Sequence, residues 1–190
     1  MPATAKVLAT VVHLLERTFI RIWNEEYVRE NKSFGLTTMQ DRHVDVKGAK
    51  LRFHFRGKSG RMHEVDVTDR RVAKIVGRLQ DLPGQDLFQY VDENGEQHNV
   101  TSQGVNGYLR RITNEDFTAK DFRTWAGTVL AAIAVNSLGP AETKKRAKAN
   151  IREAISASQK CSGIRPRFAE SVTFIRPFWM LVRAALLSIG

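Results

Sequence analysis

Val7, Leu8, Val11, Val12, Leu14, Leu15, Phe19 and Ile20 recur at the spacing of one helical face, so the chain is expected to open on an amphipathic helix. Residues 25–45 contain Asn31, Ser33 and Gly35, which predict a loop followed by a short extended piece over 36–39. Leu51, Phe53 and Phe55 then alternate with Arg52, His54 and Arg56, the period of a half-buried strand. Gly57, Lys58, Ser59 and Gly60 read as a turn, with 62–67 returning as the partner strand. His54 falls on the outward side. Thr68 is expected to cap a helix that runs to about residue 82 and ends at Pro83 and Gly84.

A short apolar stretch over 87–91 precedes a turn over 92–95. Thr101 or Ser102 should open a helix bearing Val105, Tyr108, Leu109 and Ile112. Thr118 should cap a longer one running to Leu138, with Trp125, Val129 and Ile133 in the core. Gly139 and Pro140 break it, and a charged helix is expected over about 141–155. The expected fold is mainly α with a small antiparallel β-hairpin or sheet.

Composition changes one part of this picture. Thirty Lys and Arg against twenty Asp and Glu give a formal charge of +10, an excess that points to a polyanionic partner. The single cysteine, Cys161, excludes an internal disulfide or a cysteine-rich zinc site. Residues 1–6 lead into a helical pattern rather than a signal peptide, and a cytoplasmic, nucleoid-associated location is expected. The apolar run over 174–189 is interrupted by Arg176, Pro177 and Arg183, so no membrane span is expected.

Three stretches carry a resemblance. The first is Arg21-Ile22-Trp23-Asn24-Glu25-Glu26-Tyr27 with the following Asn31-Lys32-Ser33-Phe34-Gly35-Leu36-Thr37-Thr38 and Arg42-His43-Val44. The second is Phe53-His54-Phe55-Arg56-Gly57-Lys58-Ser59-Gly60. The third is Thr118-Ala119-Lys120-Asp121-Phe122-Arg123-Thr124-Trp125-Ala126-Gly127-Thr128. Over about residues 5–155 the chain resembles the catalytic domain of bacterial and poxvirus-like type IB DNA topoisomerases. The resemblance implies a monomeric isomerase that binds duplex DNA and relaxes supercoils without ATP, metal or other cofactor. In such enzymes a tyrosine cuts one strand through a 3′-phosphotyrosyl link.

By the same resemblance Arg21 and Arg123 stabilise charge on the non-bridging phosphate oxygens, and Lys58 protonates the leaving 5′-oxygen. Tyr27, Arg56 and Lys120 are expected to contact DNA. Trp23 departs from the family's glycine at that position. Taken singly, the residues are open to plainer readings. Arg21 could favour the C-terminal dipole of the first helix or pair with Glu25, and Lys58 could simply be solvated.

The nucleophile is missing. Tyr27, Tyr90 and Tyr108 all precede Arg123, whereas the family's tyrosine lies downstream, in a motif like Gly-Asn-Thr-Pro-Ala-Val-Cys-Arg-Lys-Cys-Tyr-Ile-His-Pro. Codons can be chosen for that motif, extended by Ala-Val-Leu, that read one base later spell the observed run from Gly163 to Trp179. A frameshift near residues 156–158 is therefore expected, in the gene or in its sequencing, with Thr173 at the tyrosine's position and Ile164 at that of the polar Asn. The expected organisation is a catalytic-domain core over 1–157 and an aberrant tail over 158–190, without the amino-terminal clamp that relatives carry. Two other readings share the basic surface. One is a tyrosine recombinase, which should show a His-x-x-Arg box although no histidine follows His98; the other is a non-catalytic DNA-binding module.

Overall fold

The computed structural model describes residues 4–139 and 143–161. Helix α1 (Thr4–Thr18) buries Val7, Leu8, Val11, Val12, Leu14 and Leu15, as its periodicity predicts. It stops earlier than the apolar pattern. Thr18 turns its hydroxyl onto the Leu14 carbonyl at 2.6 Å and accepts the Ile20 N–H, and Phe19 takes a left-handed φ of 53°. Ile20 stays buried without being helical.

The loop expected after residue 25 begins instead as a second helix, α2 (Glu25–Asn31). Asn24 accepts the Tyr27 N–H at 3.0 Å, and Glu25 and Glu26 lie in the first turn, where the helix dipole favours anions. No residue of α2 is buried, so there was no apolar stripe to read. Nor is 36–39 extended. Leu36–Thr38 is a tight 3-10 turn whose threonine hydroxyls bond backbone groups, Thr38 accepting from Gly35 N and Thr37 from Trp23 N.

Strands β1 (Val44–Lys47), β2 (Lys50–Arg56) and β3 (Met62–Thr68) form an antiparallel sheet in that order, with Phe53 opposite Val65 and Phe55 opposite His63. β1 was not anticipated. Leu51, Phe53, Phe55, Val65 and Val67 face the core. On the outer face Arg52 donates to both Asp66 carboxylate oxygens, at 2.9 and 3.2 Å, and Lys50 approaches within 2.9 Å. His54 is exposed, as the alternation predicts.

Helix α3 (Arg70–Gln80) is capped by Asp69 rather than Thr68, because a carboxylate can accept from both Arg71 N and Val72 N. The His13 ring meets the same carboxylate at 3.2 Å and ties α3 to α1. A two-stranded ribbon follows, β4 (Gln89–Val91) with β5 (Gln97–Asn99), the second of which the sequence did not reveal. Helix α4 (Ser102–Thr113), capped by Thr101, packs on α1. Core side chains including Phe53, Phe88, Leu14, Leu36, Leu79 and Leu109 fill the space between these helices and the inner face of the sheet.

Helix α5 (Ala119–Ser137) departs most from expectation. Trp125 is 57% exposed and Val129 and Ile133 are only half-buried. Within α5, Ala119 and Phe122 are the buried apolar residues among those described. The helix runs chiefly alongside α6 (Lys144–Cys161), which continues past residue 155, and it leans on α4 near its start. The helix ends as expected before Gly139, which takes a left-handed φ of 70°, while Pro140 and the tail beyond Cys161 lie outside the described residues. Among the described residues no helix is long and apolar enough to cross a membrane.

His43 makes the fold sensitive to acid. Its ring packs on Phe34 with centroids 4.4 Å apart, and Nδ1 accepts the Gln40 N–H at 3.1 Å. Burial, aided by the charges of Arg42 and His54, lowers its pKa to about 4. The unfolded chain therefore binds a proton near its ordinary value of about 6.5 that the folded chain refuses. Stability should fall as pH drops through that window, by about 1–2 kcal/mol once partial solvent access is discounted. Urea melts across the window check this: the loss should shrink in His43→Gln, and an unchanged profile would refute it.

Candidate active site

Two local structures bring basic groups toward the end of α1. The first is the start of α5. Thr118 N and Thr118 Oγ1 both donate to Asp121 Oδ2, at 3.0 and 2.6 Å, which holds that carboxyl below its ordinary range. Ala119 N donates to Asn106 Oδ1 at 3.0 Å and fastens α5 to α4. One turn on, Arg123 turns inward beside buried Phe122, and its Nη1 donates to the Phe19 carbonyl. That carbonyl stands at the left-handed residue where α1 ends. Burial, and then the charge of Arg21, lower the Arg123 pKa to about 10, so it remains a cation at neutral pH.

The second local structure holds Arg21. Its carbonyl accepts Leu36 N at 2.8 Å. Gly35 passes so close that a Cβ there would lie 2.3 Å from the Arg21 oxygen. The Arg21 guanidinium is 5.7 Å from the centre of the Trp23 ring, which in turn stacks on Tyr27 at 4.0 Å and 15°. Trp23 is thus received by Gly35 and Tyr27 and stands beside the arginine. Tyr27, expected to meet DNA, has one face covered by this stack.

The hairpin is joined to the same region through Phe34 N, which donates to the Arg56 carbonyl at 2.7 Å. Beyond Arg56 the chain turns over Lys58–Gly60, with Ser59 and Gly60 at φ of 60° and 71°. Gly57 N closes the turn on Arg61 O at 2.8 Å. Lys58 stands exposed on it. Arg56 folds its guanidinium toward Gly60, where a Cβ would be 3.0 Å from Nη2. Lys120 is exposed on the first turn of α5. Arg21 and Arg123 are therefore neighbours, and the Lys58 turn is anchored to the Arg21 segment. Thr173 and Ile164 lie outside the described residues.

Sequence reasoning missed His63. The alternation through Val65 and Val67 already put it on the core face of β3, opposite Phe55. Its ring stacks on Phe55 at 5.3 Å and fills the space beside Gly57, where a Cβ would fall 2.4 Å from Cδ2. Burial first, then Arg21, Arg123 and Arg61, push its pKa below the ordinary histidine value. Elsewhere, Asp92, Glu96 and His98 bring ligand-type atoms within 4.8 Å of one another on the β4–β5 ribbon. His98 there is engaged with Asp92 at 2.9 Å.

A family model described as the catalytic core of eukaryotic DNA topoisomerase I matches residues 2–166. The chain belongs to this family. It is 29% identical over 149 residues to the DNA topoisomerase 1B of Acanthamoeba polyphaga mimivirus, a match covering 76% of this chain and 43% of the relative. The chain thus spans less than half the length of that relative. The relative is viral and lends no support to a bacterial origin. As a topoisomerase I catalytic-core chain, the protein has the mainly helical fold with a small antiparallel sheet that its sequence predicted.

Proposed function

We propose that this chain binds duplex DNA at the face where Arg21, Arg123 and the Lys58 turn meet, as the cationic part of a type IB topoisomerase site. The observation that carries the reading is Arg123. A guanidinium leaving an apolar helix to lie beside a second guanidinium is costly unless an anion joins them, because like charges in a partly buried place repel. A phosphodiester supplies that anion, and its developing transition-state charge would be met by donors already in place. Lys58, on an exposed turn, suits proton delivery to a leaving oxygen. Tyr27, Arg56 and Lys120 would add contacts to the DNA backbone.

Cleavage needs a nucleophile that the chain does not supply. Thr173 is a poor substitute, since its hydroxyl is shorter and far less acidic than a phenol with a pKa of about 10. The chain is therefore proposed to bind without cutting, and to need neither metal nor nucleotide. The experiment compares plasmid relaxation in chelator by the chain as it stands and by a version whose reading frame is restored after about residue 157. The unmodified chain should leave the plasmid supercoiled and the restored one should relax it. Relaxation by the unmodified chain would refute the missing nucleophile. A restored protein that binds but never nicks would reduce the function to DNA binding.

A further inference from the structure

His63 has no assigned task, yet several elements converge on it. From β2, Phe55 covers one face of its ring at 5.3 Å, 13° from parallel. From the turn, Gly57 leaves the room the ring occupies: a Cβ would meet Cδ2 at 2.4 Å and Nε2 at 2.6 Å. Arg21 on the α1–α2 connection, Arg123 on α5 and Arg61 beside it in the hairpin are the charged groups whose fields reach it. The backbone bonds of Arg21 O to Leu36 N and of Arg56 O to Phe34 N fix that assembly, with Arg123 held to Phe19 O on the other side. Burial first, and then the charges of three arginines, disfavour a charge on the imidazole.

We propose that His63 is a further anion-binding residue of the site, completing an arginine–histidine cradle for a phosphate group with Arg21 and Arg123, and that it takes up a proton when the phosphate arrives. The inference rests on the DNA-binding reading for its ligand but not for its chemistry. A phosphate among the arginines offsets the repulsion that they add to the effect of burial, so binding and protonation favour each other. By linkage, a complex that holds one more proton than its parts tightens as pH falls. Uptake of one proton strengthens binding by at most about tenfold per pH unit. Glutamine at this position keeps a polar side chain but cannot charge.

The test measures affinity for a short labelled duplex at fixed ionic strength from about pH 8 to about pH 6, where histidines titrate. Wild type should tighten by about three- to tenfold more than His63→Gln or His63→Asn, the second variant guarding against a misfolded first. Equal pH slopes in wild type and both variants overturn the proposal. In the wild-type protein, NMR titration of the His63 ring should move to higher pH when inorganic phosphate is added; an unmoved curve also overturns it. A phosphate-dependent shift at His63 without duplex binding sinks the DNA reading and leaves the cradle standing.

Discussion

Arg123→Ala is expected to weaken duplex binding by about 10- to 100-fold at low salt, the scale of one lost charge-assisted contact to phosphate. Arg123 is half-buried and still charged at neutral pH, so its removal takes a fixed cation out of the centre of the site. The log–log dependence of affinity on salt should also become shallower by about one. Arg123→Lys keeps the charge but loses the planar fork, and should recover only part of the affinity. Both variants lose the bond to the Phe19 carbonyl, so thermal melts must accompany the titrations. Undiminished affinity in a folded Arg123→Ala protein would place the DNA elsewhere.

Gly35→Ala should be among the most damaging changes of a single methyl group. Gly35 has an extended backbone with φ of −143°, so conformational freedom is not the reason. Space is. The added carbon would stand 2.3 Å from the Arg21 carbonyl oxygen and 2.7 Å from Trp23 Cδ1. The first of these is backbone and cannot swing away. Relief requires parting the 35–36 segment from Arg21, which breaks the Leu36 N bond to Arg21 O. A loss of about 2–4 kcal/mol is expected, together with weaker DNA binding as Arg21 moves. Gly77→Ala provides the contrast. It lies inside α3 with nothing within 4 Å of its Cβ position, and should stabilise by up to about 1 kcal/mol. Comparable denaturation midpoints for the two variants would refute the steric argument.

These contrasts show where sequence reading worked. Period-two and helical spacing are signatures of burial, so α1, β2, β3 and the capped start of α5 were legible. The short helix α2 was not, because it buries nothing and is held by an Asn24 cap and first-turn acids. β5 lacks apolar alternation, and its outer residues Gln97 and Asn99 bond to nearby loop groups. Trp125 is exposed although its spacing predicts core, because an apolar position on a helix is buried only where another element covers that face. The basic residues of the candidate site were named through resemblance, while the surroundings of Gly35 and His63 needed coordinates. A glycine's missing carbon and a histidine's neighbours are facts about chains that approach from elsewhere in the sequence.

The thin burial of α5 also bears on timing. Amide hydrogens in α1, α3 and the sheet exchange only when the shared core opens, whereas a helix that buries few of its described side chains can open alone at lower free energy. Arg123 therefore helps join a durable unit to a more loosely protected one, beside buried Phe122 and the Ala119 bond to Asn106. Its presence at the end of α1 will follow the opening of α5 rather than global unfolding. A polyanion that grips both arginines would slow deuterium uptake along α5 before it altered the melting of the rest.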